Sequence, residues 1–184
     1  MFDNLEYYEI ENYLFSKVRK RFDRDGCLCA FDFFSIVAWK SNRPKGMIRD
    51  ALRARCPDLE QAVKSLTGDI HEAADHQNRL KILLDVRGIG LAMATAILTV
   101  LYPDYFTVYD TRVCNQLGRF SNLGSRSIAT IWEGYEEFRQ AVPEEAVRRG
   151  APKSLGLRDM DRWLWTRDVV DQLKREGCSP PNEN

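Results

Sequence analysis

Apolar residues along this chain recur at helical spacing, and no stretch alternates as a half-buried strand would. Leu5, Tyr8, Phe15 and Val18 form an apolar stripe that predicts a helix over 5–22, closed by the Asp25-Gly26 break. Phe31, Phe34, Val37 and Ala38 mark a second helix over 31–39, and Ser41-Asn42-Arg43-Pro44-Lys45-Gly46 reads as a loop. Short helices are expected over 47–55 and 58–66, divided by Cys56-Pro57, and a longer one over 69–85. Leu91 to Tyr102 is apolar or small throughout and rich in helix formers. Beyond it the pattern predicts a short helix over 111–117, a loop over 118–125 and a helix over 127–141 stopped by Pro143. A further turn is expected over 144–149. The last helix spans 157–176, with Met160, Trp163, Leu164, Val170 and Leu173 inward, and 177–184 reads as a frayed tail. The expected fold class is all-α.

Composition narrows the picture. With 184 residues, 44% hydrophobic and 29% charged, the chain reads as an ordinary globular protein. No run approaches the ~20 apolar residues of a membrane span, and the acidic start Met1-Phe2-Asp3-Asn4-Leu5-Glu6 is unlike a signal peptide. The expectation is therefore an intracellular, cytoplasmic protein with no membrane partner. Cysteines at 27, 29, 56, 114 and 178 are odd in number and irregularly spaced, which argues against a disulfide framework. The 27 basic residues equal the 27 acidic ones, so the surface is not uniformly basic. Two stretches nevertheless lack acids: one carries Lys40, Arg43, Lys45 and Arg49, the other Arg112, Arg119 and Arg126. They suit phosphate contact, or they are solvated faces balanced by acids once folded.

The densest signal is Val86-Arg87-Gly88-Ile89-Gly90-Leu91, two glycines between apolar helical segments. Such a hairpin permits close backbone approach and presents the N–H groups that open a helix to an anion. An ordinary helix–helix turn with a glycine C-cap is the plainer reading. Other motifs drop out. His71-Glu72 has Asp75 where a zinc helix needs histidine, and His76 falls off the shared face. Cys27-Leu28-Cys29 has no second cysteine pair, and Met93 stands where a dinucleotide fingerprint needs its third glycine. No metal or cofactor is expected.

The hairpin Val86 to Ala94, followed by Val108-Tyr109-Asp110-Thr111-Arg112-Val113, resembles the helix-hairpin-helix DNA glycosylase superfamily, with its L-P-G-V-G-x-K-T-A hairpin and its V-D-T-H-V aspartate. Asp110 follows Ala92 by 18 positions, as in that family, and Pro103-Asp104-Tyr105-Phe106 falls at the family's link. The likeness covers residues 79–120 and elsewhere rests on helical character. It implies a two-lobed helical fold, with a hairpin lobe over about 45–125, a second lobe from 1–44 and 126–176, and a cleft for an extruded base. DNA is the implied partner, held by Arg87, Gly88, Ile89, Gly90 and Leu91; Lys40, Arg43, Arg112 and Arg126, from the acid-free stretches, are the candidate phosphate contacts.

Asp110 is the implied catalytic carboxylate, placed to stabilise positive charge on the sugar as the glycosidic bond breaks. Its position before Thr111 equally suits a helix N-cap. Trp39 and Tyr109 are candidate stacking surfaces for the base. Ala92 occupies the slot where lyase members carry lysine, so base release is expected without strand scission. The family's four-cysteine iron–sulfur loop is absent from the sequence. Two alternatives stay open: a non-catalytic helix-hairpin-helix DNA-binding module, and a helical protein-interaction domain whose hairpin only packs.

Overall fold

A computed structural model describes residues 9–178. Leu5, Tyr8 and most of the expected tail fall outside that range. Among the described residues the protein is all-helical, with no strand. It divides into two compact units, one ending at Tyr105 and the next beginning at Phe106.

In the first unit, α1 (Ile10–Tyr13), a π-helical segment (Leu14–Val18) and α2 (Arg19–Asp25) follow without a break. Tyr13, Leu14, Val18 and Phe22 line the buried side. Gly26 ends α2 in the left-handed conformation, φ 67°, with its N–H donating to the Phe22 carbonyl. Next come α3 (Ala30–Lys40), α4 (Lys45–Arg55) and α5 (Leu59–Glu72). Asp32 in α3 is buried, yet Arg21 grips it at 2.7 and 2.8 Å and the Tyr13 hydroxyl donates to it at 2.7 Å. A buried carboxylate needs such partners. Burial and the adjacent Asp32 push the Tyr13 hydroxyl pKa well above its usual range.

The single helix expected over 69–85 is two. α5 stops at Glu72, and α6 (His76–Leu84) starts afresh because Asp75 accepts the Asn78 N–H at 2.7 Å. That carboxylate satisfies a free donor of the new helix, which makes the break stable. α7 (Leu91–Leu101) is the hub of the unit and packs against α2, α3 and α6. Every residue from Met93 to Leu101 is buried. Thr95 and Thr99 tolerate this because their hydroxyls donate to the Leu91 and Thr95 carbonyls at 2.8 and 2.7 Å.

The second unit contains α8 (Thr111–Leu117), a 3₁₀ turn (Leu123–Ser125), α9 (Ile128–Arg148) and α10 (Leu157–Arg175). Contrary to expectation, α9 runs through Pro143. Proline removes one N–H, but Ala141, Val142 and Ala146 on either side are buried, and their packing holds the helix together. Gly177 (φ 85°) terminates α10, its N–H on the Lys174 carbonyl and that of Cys178 on the Leu173 carbonyl, a Schellman ending. The inward stripe of α10 also differs. Met160 and Leu164 are buried, Leu173 is exposed, and Asp161 and Asp168 point inward. Asp161 accepts from Thr107 Oγ1, the Val108 N–H and Arg158, pinning residues 107–108 to α10. No helix among the described residues is long and apolar enough to cross a membrane.

Candidate nucleic-acid interface

The hairpin begins where α6 ends. The Val86 N–H donates to Leu83 and the Ile89 N–H to Val86, giving a tight turn. Val86, Ile89 and Leu91 are buried to within 4% of full exclusion and anchor that turn in the core. Ile89 and Leu91, predicted to meet DNA, can therefore offer only backbone atoms. Arg87 and Gly90 are exposed between them. Gly90 is the N-cap of α7, with φ −91° and ψ 178°, and no side chain caps the helix. Met93 and Ala94 make the first intrahelical bonds, to the Gly90 carbonyl. The Leu91 and Ala92 N–H groups precede those bonds and have no partner within the helix. A Cβ built on Gly90 would meet nothing within 4 Å, so this helix start is open.

Gly88 is different. Its φ is 96°, and a Cβ there would lie 3.1–3.2 Å from Ile48 Cγ1, Ile48 N and Met47 Cγ. This glycine is required for packing on the first turn of α4, not for a ligand's approach. The close approach brings Met47, exposed and apolar, to the hairpin. An open groove of about 750 Å³ is lined by Gly46, Met47, Ala51, Arg55, Asp85 and Arg87. Arg55 donates to both the carbonyl and the carboxylate of Asp85, and Arg49 pairs with Asp50. Of the charged residues on this groove, Arg87 has no ion-pair partner among the described residues, whereas Arg55, Asp85 and Asp50 are paired. Lys40 closes α3, where a cation complements the helix dipole. Trp39 is half-buried, its ring edge-on to Phe15 at 5.9 Å.

In the second unit Asp110 caps α8, accepting the Arg112 N–H at 3.0 Å. It also lines an open polar pocket of about 640 Å³ with Arg112, Asn115, Asp168, Gln172 and Arg175. Cap and pocket wall are thus one residue. Arg112, predicted to contact phosphate, is committed inside the unit. Its guanidinium donates to Asp168 at 3.3 Å and Gln172 at 3.0 Å and lies over the Trp165 ring. Tyr109 is buried, edge-on to Phe138, with its hydroxyl donating to the Phe120 carbonyl at 2.6 Å. Its ring is therefore core and presents no stacking face, which corrects the expectation of a base contact. Burial also pushes the neighbouring Cys114 thiol up to about 11 and keeps it unreactive. Arg126 is exposed, but its guanidinium lies against α9 at Gly134, where a Cβ would come within 2.6 Å of Nη1.

Among the described residues no cluster of three or more His, Cys, Asp or Glu side chains is placed to hold a metal ion. Compared with protein-family models, curated proteins and solved structures, the chain has no significant match.

Proposed function

We infer that this protein binds DNA through the hairpin Arg87–Leu91, in the manner of the helix-hairpin-helix DNA glycosylases it resembles, and that Asp110 is its candidate residue for base release. One observation carries the reading: the start of α7 is open at Gly90, uncapped by any side chain, and flanked by the exposed Arg87. Backbone N–H groups at such a terminus suit a phosphate oxygen, and the helix dipole adds to the attraction. Ala92 offers no amine for a Schiff base, so excision would leave an intact strand with an abasic site. A second reading, binding without excision, is favoured by the capping bond that Asp110 makes to Arg112.

Fluorescence anisotropy of the protein with a labelled duplex, across a salt series, tests the binding claim. Affinity should fall linearly on logarithmic axes as salt rises, because each neutralised phosphate releases counterions. Absence of binding at low salt contradicts the reading and leaves the protein-interaction alternative. Duplexes each carrying one damaged base then separate excision from binding alone: alkali-labile sites appear only if the base is released.

A further inference from the structure

α10 has two unlike sides. Met160, Leu164 and Asp168 are buried, while the opposite side carries an open groove of about 550 Å³. Asp159, Arg162, Trp163, Val170, Asp171 and Lys174 line it, with Thr166 and Arg167 at the middle, and none of these residues is buried. Alternating steps of three and one keep them on a single helical stripe, ~22 Å long at the α-helical rise. The stripe has the same chemistry when reversed. Turned end for end about the midpoint between Thr166 and Arg167, Asp159 falls on Lys174, Arg162 on Asp171 and Trp163 on Val170. Both charged pairs match an acid with a base, and the inner pair is apolar.

Within one copy these groups are only partly engaged. Arg162 donates to Asp159 at 2.9 Å. Arg167 lies over the Trp163 ring and is 3.9 Å from Asp171, too far for a hydrogen bond. Lys174 has no ion-pair partner among the described residues. We propose that this face is where two copies of the chain meet, their α10 helices antiparallel about a two-fold axis at the stripe's midpoint. A two-fold contact needs a self-complementary surface, because each pairing occurs twice. Trp163 of each copy covers Val170 of the other, Lys174 faces Asp159, and Arg162 faces Asp171. A partner of uniform charge would meet repulsion at every second position of the stripe, whereas a second copy meets none. The contact is one helix wide, below the size of a standard interface, so the dimer is weak and forms at micromolar concentrations. The proposal is independent of DNA binding.

Sedimentation equilibrium over a concentration series at low salt, where exposed ion pairs are least screened, is the test. The parent's mass should rise from that of one chain toward that of two. Lys174→Glu sets acid against acid at both ends of the contact, and Asp159→Lys sets base against base. Each alone should weaken association at least about tenfold. An equimolar mixture of the two variants should regain the parent's association, because every end pairing is again opposite in sign. Both positions are exposed, and recovery in the mixture itself shows that the variants are folded. Trp163→Ala should weaken association without any such rescue. A parent that stays a single chain at the highest concentration overturns the proposal. So do single variants that associate like the parent, or a mixture that stays monomeric.

Discussion

Gly88 and Gly90 sit two positions apart and do unrelated work. Gly88 needs φ 96° and room for Ile48 and Met47; Gly90 has ordinary extended geometry and open space before it. Gly88→Ala should therefore cost roughly 1–3 kcal/mol of stability, from the left-handed backbone and the crowded Cβ. A melt of that variant indistinguishable from the parent contradicts the packing account. The sequence shows two glycines and cannot say which faces inward, because that depends on α4, some 40 residues earlier. Arg112 and Tyr109 show the same limit, since their partners Gln172 and Phe138 lie far along the chain. Asp110 was legible as the cap of α8, because a cap bond is local. Asp110→Asn keeps an oxygen for the Arg112 N–H, so fold and DNA binding should survive, whereas Asp110→Ala should lose about 1 kcal/mol with the cap. If a lesion substrate is cleaved by the parent, Asp110→Asn should lower base release by roughly 10²-fold. Full release by that variant removes Asp110 from the chemistry.

At the scale of elements, helix existence was legible and helix ends were less so. The Asp25-Gly26 stop and the Cys56-Pro57 break hold because glycine and proline act locally. Asp75 ended the expected 69–85 helix through a side-chain bond that apolar periodicity does not register. Pro143 did not stop α9, because tertiary packing outweighs one missing N–H. Asp161 and Asp168 took the inward face of α10 because specific donors await them, a fact no hydropathy pattern contains.

The C-terminal turns of α9 supply a pH test. Arg148 and Arg149 hydrogen-bond the Glu145 carboxylate and hold its pKa at about 2, below the usual 4.5. Arg149 also reaches the Gln116 carbonyl at 2.8 Å and so ties α9 to the end of α8. A depressed carboxylate contributes stability that is full above its unfolded value and is lost as pH falls through its folded value. Glu145→Gln should therefore lower the melting temperature at pH 7, and the gap to the parent should close between about pH 4.5 and 2. A gap unchanged across that window shows that the ion pairs contribute nothing.

For the whole molecule, the all-α class was readable because the apolar residues follow the helical period so consistently. The balance of 27 basic against 27 acidic residues conceals an unpaired cation in the hairpin, Arg87, which has no acidic partner among the described residues. Formal charge could not reveal it, since neutralisation is decided by which acids fold nearby: Asp85 and Asp50 are already engaged by Arg55 and Arg49. The Asp110 pocket was half legible for the same reason. Its aspartate stands in a recognisable motif, while Asp168 and Arg175 come from a helix with no motif at all.

The central claim, that DNA meets the open start of α7, is tested most directly by Gly90→Asp. Position 90 has the φ and ψ of a helix N-cap, where aspartate is among the preferred residues, so the variant should melt at or above the parent temperature. Its carboxylate would occupy the N–H groups assigned to phosphate and repel the anion. Duplex affinity, measured by anisotropy at fixed low salt, should fall at least about tenfold, with a shallower salt slope. A stable Gly90→Asp protein that binds duplex DNA with the parent's affinity and salt slope would contradict the account.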